Sequence, residues 1–107
     1  KADELRVQVG GWNGRTELGG VVIGVFGETE VFVAAPKTVE DAWQGLVNSF
    51  EKTSSDDGTT VGHDEYQGDV LLRRSGALIV GLSGAEDLTK GKALLKSITL
   101  DLSQISP

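Results

Sequence analysis

A single histidine, His63, stands beside Asp64 and Glu65. An imidazole that titrates near neutral pH next to two carboxylates has the makings of an acid–base pair or of a metal site. A metal centre, however, draws three or four ligands from several segments, and the chain offers no second histidine and no cysteine. Asp56 and Asp57 can add carboxylates, but they lie in the polar run Thr53-Ser54-Ser55-Asp56-Asp57-Gly58. A hydrated surface accounts for these side chains with fewer assumptions, so neither a metal nor another cofactor is expected. The glycines invite a phosphate-loop reading, which requires glycines leading to Lys and Ser or Thr at the head of a helix. Leu88-Thr89-Lys90-Gly91-Lys92 lacks that spacing, and Gly10-Gly11-Trp12-Asn13-Gly14 leads into no helix. No G-x-S-x-G nucleophile motif is present. The sequence predicts a protein that is not an enzyme.

The second chemically distinct grouping is basic. Arg73-Arg74 separates two apolar runs, and Lys90, Lys92 and Lys96 follow in an amphipathic segment. If the two regions converge, Arg73, Arg74, Lys90 and Lys92 form a basic patch suited to an acidic protein surface, with electrostatics raising the association rate. Solubilising surface charge is the plainer account of the same residues.

The stretch that must position these groups is Gly68 to Ile98. Val70-Leu71-Leu72 and Ala77 to Leu82 are apolar runs, and Arg73-Arg74-Ser75-Gly76 between them ends in a turn pair. The arrangement predicts an antiparallel hairpin with the arginines at its tip. The second run carries no charge, as befits a central strand covered on both faces. Ser83-x-x-Glu86 has the form of a capping box, and Leu88, Gly91, Leu95 and Ile98, with Leu94 beside them, mark one helical face. From Ile98 the period changes: Ile98, Leu100 and Leu102 alternate with Thr99, Asp101 and Ser103. The alternation favours a strand-like end over continued helix.

Earlier in the chain, Leu5, Val7 and Val9 alternate with polar residues and predict a half-buried strand. Gly10 to Gly14 breaks it, with Asn13-Gly14 a turn signal and Trp12 expected as a lid over the core edge. Val21–Phe26 and Val31–Ala35 predict a hairpin turning at Gly27-Glu28 and ended by Pro36. Val39, Ala42, Trp43, Leu46, Val47 and Phe50 recur at spacings of three and four, which predicts a helix. Thr38 and Asp41 are placed to cap it, and Glu40 and Lys52 to complement its dipole. Thr53 to Gly58 is expected to be a polar loop, and Thr59-Thr60-Val61 to open a weak strand. The expected fold is a single α+β domain over residues 1–107: a mostly antiparallel sheet with two amphipathic helices packed on it.

Charge narrows the partners. The net charge is −6 and the pI near 4.6, whereas nucleic-acid binding needs clustered Lys and Arg that neutralise phosphates. No apolar run approaches the roughly 20 residues of a membrane span. The lack of cysteine fits a reducing compartment, and so a cytoplasmic location. The chain opens on Lys1 rather than Met, as a trimmed or processed product would.

From the Val21 run onward the pattern resembles profilin and the related roadblock (dynein light chain) domains. VEDAWQGLVNSFEKTSSDDGTTVGHDEY, Val39 to Tyr66, is similar to the profilin segment in which an amphipathic helix ends in a Phe, with a polar loop, a Gly-led strand and a Tyr following. Gly68 to Leu95 is similar to its closing hairpin and C-terminal helix. The N-terminal strand and the short middle of the sheet depart from profilin, and Leu100 to Pro107 lacks the aromatics that stack on polyproline. The profilin resemblance implies a non-enzymatic actin-monomer binder with contacts at Arg73, Arg74, Lys90 and Lys92. The roadblock resemblance implies a symmetric dimer, a scaffold or small-GTPase regulator. Ser83-Gly84-x-x-Asp87 leading into a helix also resembles the exported PsbP-like α+β modules, which accommodate the strand at Leu5 to Val9.

Overall fold

Val21–Phe26 and Thr29–Ala34 are joined by two residues, Gly27 and Glu28, so the strands have no route except back alongside one another. The same holds for Gly68–Ser75 and Leu78–Ser83 across Gly76-Ala77. Two-residue hairpin loops need positive φ, which Gly27 (64°) and Gly76 (58°) supply. In the structure, a computed structural model, residues 4–8, 18–50, 53–56, 58–64, 68–85 and 87–105 are described. Their order is β1 (Glu4–Gln8), β2 (Val21–Phe26), β3 (Thr29–Ala34), α1 (Val39–Asn48), β4 (Thr53–Asp56), β5 (Thr59–Asp64), β6 (Gly68–Ser75), β7 (Leu78–Ser83) and α2 (Leu88–Ile105).

The strands form one antiparallel sheet in the order β1-β2-β3-β7-β6-β5-β4. Two meanders, β1-β2-β3 and β4-β5-β6-β7, meet where β3 pairs with β7, and α1 carries the chain from one to the far edge of the other. The fold is α+β with two helices, as the sequence predicts. β7 is the uncharged central strand, buried from Ile79 to Ser83.

Alternation along the strands builds two cores, one on each face. Ile23, Phe32, Val70, Leu72 and Ile79 meet Ala42, Leu46 and Phe50 of the α1 region. Val31, Leu71, Val80 and Leu82 meet Leu95 of α2. The helices therefore pack on opposite faces of the sheet. At the seam between the meanders Phe32 lies directly opposite Gly81, and its ring occupies the space a Cβ on Gly81 would take. Phe50 covers Gly62 of β5 in the same way.

Several local expectations are corrected. Residues 98–103 are not strand-like: α2 runs unbroken to Ile105. Ile98 joins the core beside Leu95, and the buried Thr99 hydroxyl donates to the Leu95 carbonyl at 2.7 Å, so the three-to-four spacing set by packing on β6 and β7 overrides β-branched alternation. Thr53 to Asp56 is a strand, not a loop. It is an edge strand with exposed Thr53, Ser54 and Ser55, and an edge needs no apolar alternation. Ser55 Oγ pairs with Thr60 Oγ1 of β5 at 3.0 Å. Arg73 and Arg74 lie within β6 rather than at its tip, because the turn is Gly76-Ala77.

The caps also differ. Thr38 occupies the N-cap of α1, but its side chain makes no capping bond; its carbonyl accepts from Ala42 at 3.0 Å. Ser83 is buried at the end of β7, and α2 begins later, with Asp87 as its cap: one carboxylate oxygen accepts from the Thr89 and Lys90 N–H groups at 2.7 and 3.4 Å. Trp12, Asn13-Gly14, Lys52, Asp57, Glu65 and Glu86 lie outside the described residues.

Candidate functional site

The width of the sheet decides which apolar side chains are hidden. Seven strands about 4.8 Å apart span about 29 Å, whereas a helix with its side chains is about 10–12 Å across. On its face α2 packs on β6 and β7, held by Leu95 and by the close approach of Gly91 to Leu71 and Leu82. The helix leaves β1 and the adjoining start of β2 uncovered. Leu5 and Val7, opposite Gly24 and Val22 in the register, are left 72% and 73% exposed, and Val22 is 47% exposed. The expectation of a half-buried first strand is corrected accordingly: the strand exists, but its apolar face is uncovered.

This strip runs into a groove. Gly24 sits beneath both Leu5 and Phe26, with a Leu5 methyl 3.5 Å and the Phe26 ring 3.2 Å from where its Cβ would stand. Phe26 then forms one wall of an open groove of about 500 Å³, between the β2–β3 turn and the first turns of α2. Leu94 forms the other wall, and Glu28, Thr29, Asp87 and Lys90 supply its polar rim. Gly84 makes the floor tight: its φ is +78°, and a Cβ would strike the Glu28 carbonyl. The Thr29 hydroxyl donates to the Gly84 carbonyl at 3.4 Å.

The basic residues singled out in the sequence are dispersed. Arg73 and Arg74 are successive strand residues and so point to opposite faces. Arg73 is partly buried near β5, where its Nη1 donates to Thr59 Oγ1 at 2.9 Å and its guanidinium lies over Gly58. Arg74 is on the face of α1, donating to Glu40 Oε2 at 2.8 Å with its guanidinium carbon 5.9 Å from the centre of the Trp43 ring. Lys90 and Lys92, two apart on a helix, do not share a side. Lys90 lines the groove and Lys92 is partly buried. His63 Nδ1 lies 3.5 Å from Asp69 Oδ1, both half-exposed. Among the described residues no group of three or more His, Asp or Glu side chains is placed to hold a metal ion.

The Arg74 pair has a pH signature. Its hydrogen bond and positive charge hold the Glu40 carboxyl below its ordinary value. A depressed folded-state pKa contributes stability that is present above the unfolded value and lost as pH falls through the folded one. Glu40 is 68% exposed, so the effect is small. Wild type is expected to melt slightly above Glu40→Gln near pH ~7, with the gap closing toward pH ~3. Thermal melts at the two pH values check this.

No family model matches the chain, and no curated protein or solved structure does. Among the described residues, no helix is long and apolar enough to cross a membrane. Alternation places Leu5 and Val7 on one face of a strand but does not say whether that face is covered. The available signal was the count of faces: Leu5, Val7, Val22, Phe26 and Val33 are too many for the one narrow stripe of α2 to cover.

Proposed function

We propose that the chain is a protein-binding module that acts by recognition rather than catalysis. Its contact surface is the strip of Leu5, Val7 and Val22 together with the groove between Phe26 and Leu94. One observation carries this reading: two aliphatic side chains almost three-quarters exposed, on a sheet face whose other half is sealed by α2. Contiguous apolar patches on soluble domains mark interaction sites far more often than isolated exposed residues do. Covering each such side chain is worth about 1.5–3 kcal/mol, which a partner can recover. An alternative reading, drawn from the profilin resemblance, takes monomeric actin as the partner. Retarded polymerisation of actin by the wild type but not by Leu5→Asp tests that reading.

The broader reading is tested with a photo-crosslinking amino acid at position 7, and at exposed Gln44 on α1 as the control. A discrete adduct from position 7 alone, identified by mass spectrometry, is the expected result. Equal labelling from both positions, or none from position 7, would remove the case for this surface.

A further inference from the structure

We propose that the partner met by this surface is a second copy of the chain, paired edge to edge through β1 about a two-fold axis at Arg6. The proposal rests on the reading of the strip as a protein contact and names its occupant. The first observation is topological. β1 ends the sheet, and among the described residues nothing pairs with its outer edge. An open edge is a template for another strand. The opposite edge, β4, is blunted by exposed Thr53, Ser54 and Ser55, whereas β1 carries the two most exposed of the large apolar side chains among the described residues.

The second observation is self-complementarity. Antiparallel pairing of Glu4–Gln8 with itself about Arg6 sets Leu5 opposite Val7 of the second copy and Val7 opposite its Leu5. Glu4 then faces Gln8. Leu5 and Val7 share a face, so four aliphatic side chains cluster at the junction with a Val22 from each copy behind them. Such directly opposed apolar pairs are what stabilise antiparallel strands. The result is a continuous sheet with an unbroken apolar strip along one face.

Size and charge set the behaviour of this dimer. A five-residue strand is about 17 Å long, which places the contact at the small, transient end of protein interfaces, below about 1,200 Å². The dimer is therefore concentration-dependent. Each copy carries a net charge of −6, so two copies repel. Added salt screens this repulsion, so association tightens with ionic strength. A partner held by charge complementarity would show the reverse.

The test uses the absence of cysteine from the chain. Paired strands hold opposed Cα atoms about 4.5–5.5 Å apart, within the range a disulfide spans. Arg6→Cys is expected to give a disulfide-linked dimer under mild oxidation. Leu5→Cys and the α2 control Leu100→Cys are not. Light scattering of the wild type should rise from the 11.3 kDa monomer toward twice that mass with concentration, at lower concentrations in ~500 mM than in ~50 mM salt. Leu5→Glu/Val7→Glu and Leu5→Lys/Val7→Lys should each be monomeric, and an equimolar mixture should recover the dimer mass, which a folding defect cannot do. A monomer at every concentration and salt with no Arg6→Cys product overturns the proposal, as does a mixture that stays monomeric. A position-7 adduct to another protein, alongside a strictly monomeric chain, overturns the dimer and leaves the binding-module reading standing.

Discussion

Replacing Phe32 with alanine is expected to cost about 3–5 kcal/mol, a large share of the 5–15 kcal/mol that holds a typical domain together. Among the described residues Phe32 is the largest fully buried side chain, and it stands where the two meanders join. Among the described residues β3–β7 is the only strand pairing that links them, so the loss acts on the cohesion of the whole sheet. Its ring fills the place left by the missing side chain of Gly81, directly across the ladder. Removing the ring leaves a cavity floored by bare backbone, which the neighbours cannot close. The converse change, Gly81→Ala, is expected to cost about 1–3 kcal/mol, because the new methyl overlaps the ring. The two effects are coupled. In the Phe32→Ala background the Gly81→Ala methyl enters vacated space, so the double variant should be more stable than the sum of the single costs predicts, by at least about 1 kcal/mol. Urea denaturation of the four proteins measures this. Additivity to within about 0.5 kcal/mol would show that ring and glycine do not share the space.

The second large effect is expected at Leu95, where alanine should cost about 2–5 kcal/mol. Leu95 is fully buried among Val31, Leu71, Val80 and Leu82 and anchors α2 to its face. Its loss acts on more than stability, because α2 also forms one wall of the groove through Leu94. Backbone amides of α2 should exchange faster in Leu95→Ala, while those of β3 and β7 keep the protection of the folded protein. Leu100→Ala provides the contrast. That side chain is 54% exposed, and its truncation should fall within about 0.5 kcal/mol of wild type. Equal destabilisation by the two variants would contradict the placement of α2.

Much of the architecture is legible from residue pattern, and the losses have identifiable causes. The β2–β3 and β6–β7 hairpins follow from apolar runs broken by Gly-containing turns, and the central position of β7 follows from a run without charge. α1 follows from Val39, Ala42, Trp43 and Leu46 at helical spacing, although it ends at Asn48 and Phe50 turns onto Gly62 instead of continuing the helix. β4 leaves no sequence signal because an exposed edge strand has no burial to enforce an apolar period. The end of α2 is ambiguous in sequence because Ile98, Leu100 and Leu102 fit a period of two as well as part of a helical stripe. Only the surface of β6 and β7 beneath Leu95 and Ile98 selects between them.

The candidate site shows the same division more sharply. The sequence by itself determined that the chain forms an antiparallel α+β domain, because hydrophobic period and turn chemistry are local properties carried by neighbouring residues. It also determined that β1 is a strand with Leu5 and Val7 on one face. Whether that face is covered is not a local property. It depends on the α2 stripe being one helix wide, on α1 taking the opposite face, and on β1 lying at the end of the sheet, farthest from both edges of the β6–β7 pair that α2 covers. Likewise, Arg73 and Arg74 are adjacent in the chain, and only the placement of the turn at Gly76 puts them in a strand and so on opposite faces. Tertiary structure decided the site because exposure is set by what packs across a face, and the residues that do so come from the far end of the chain.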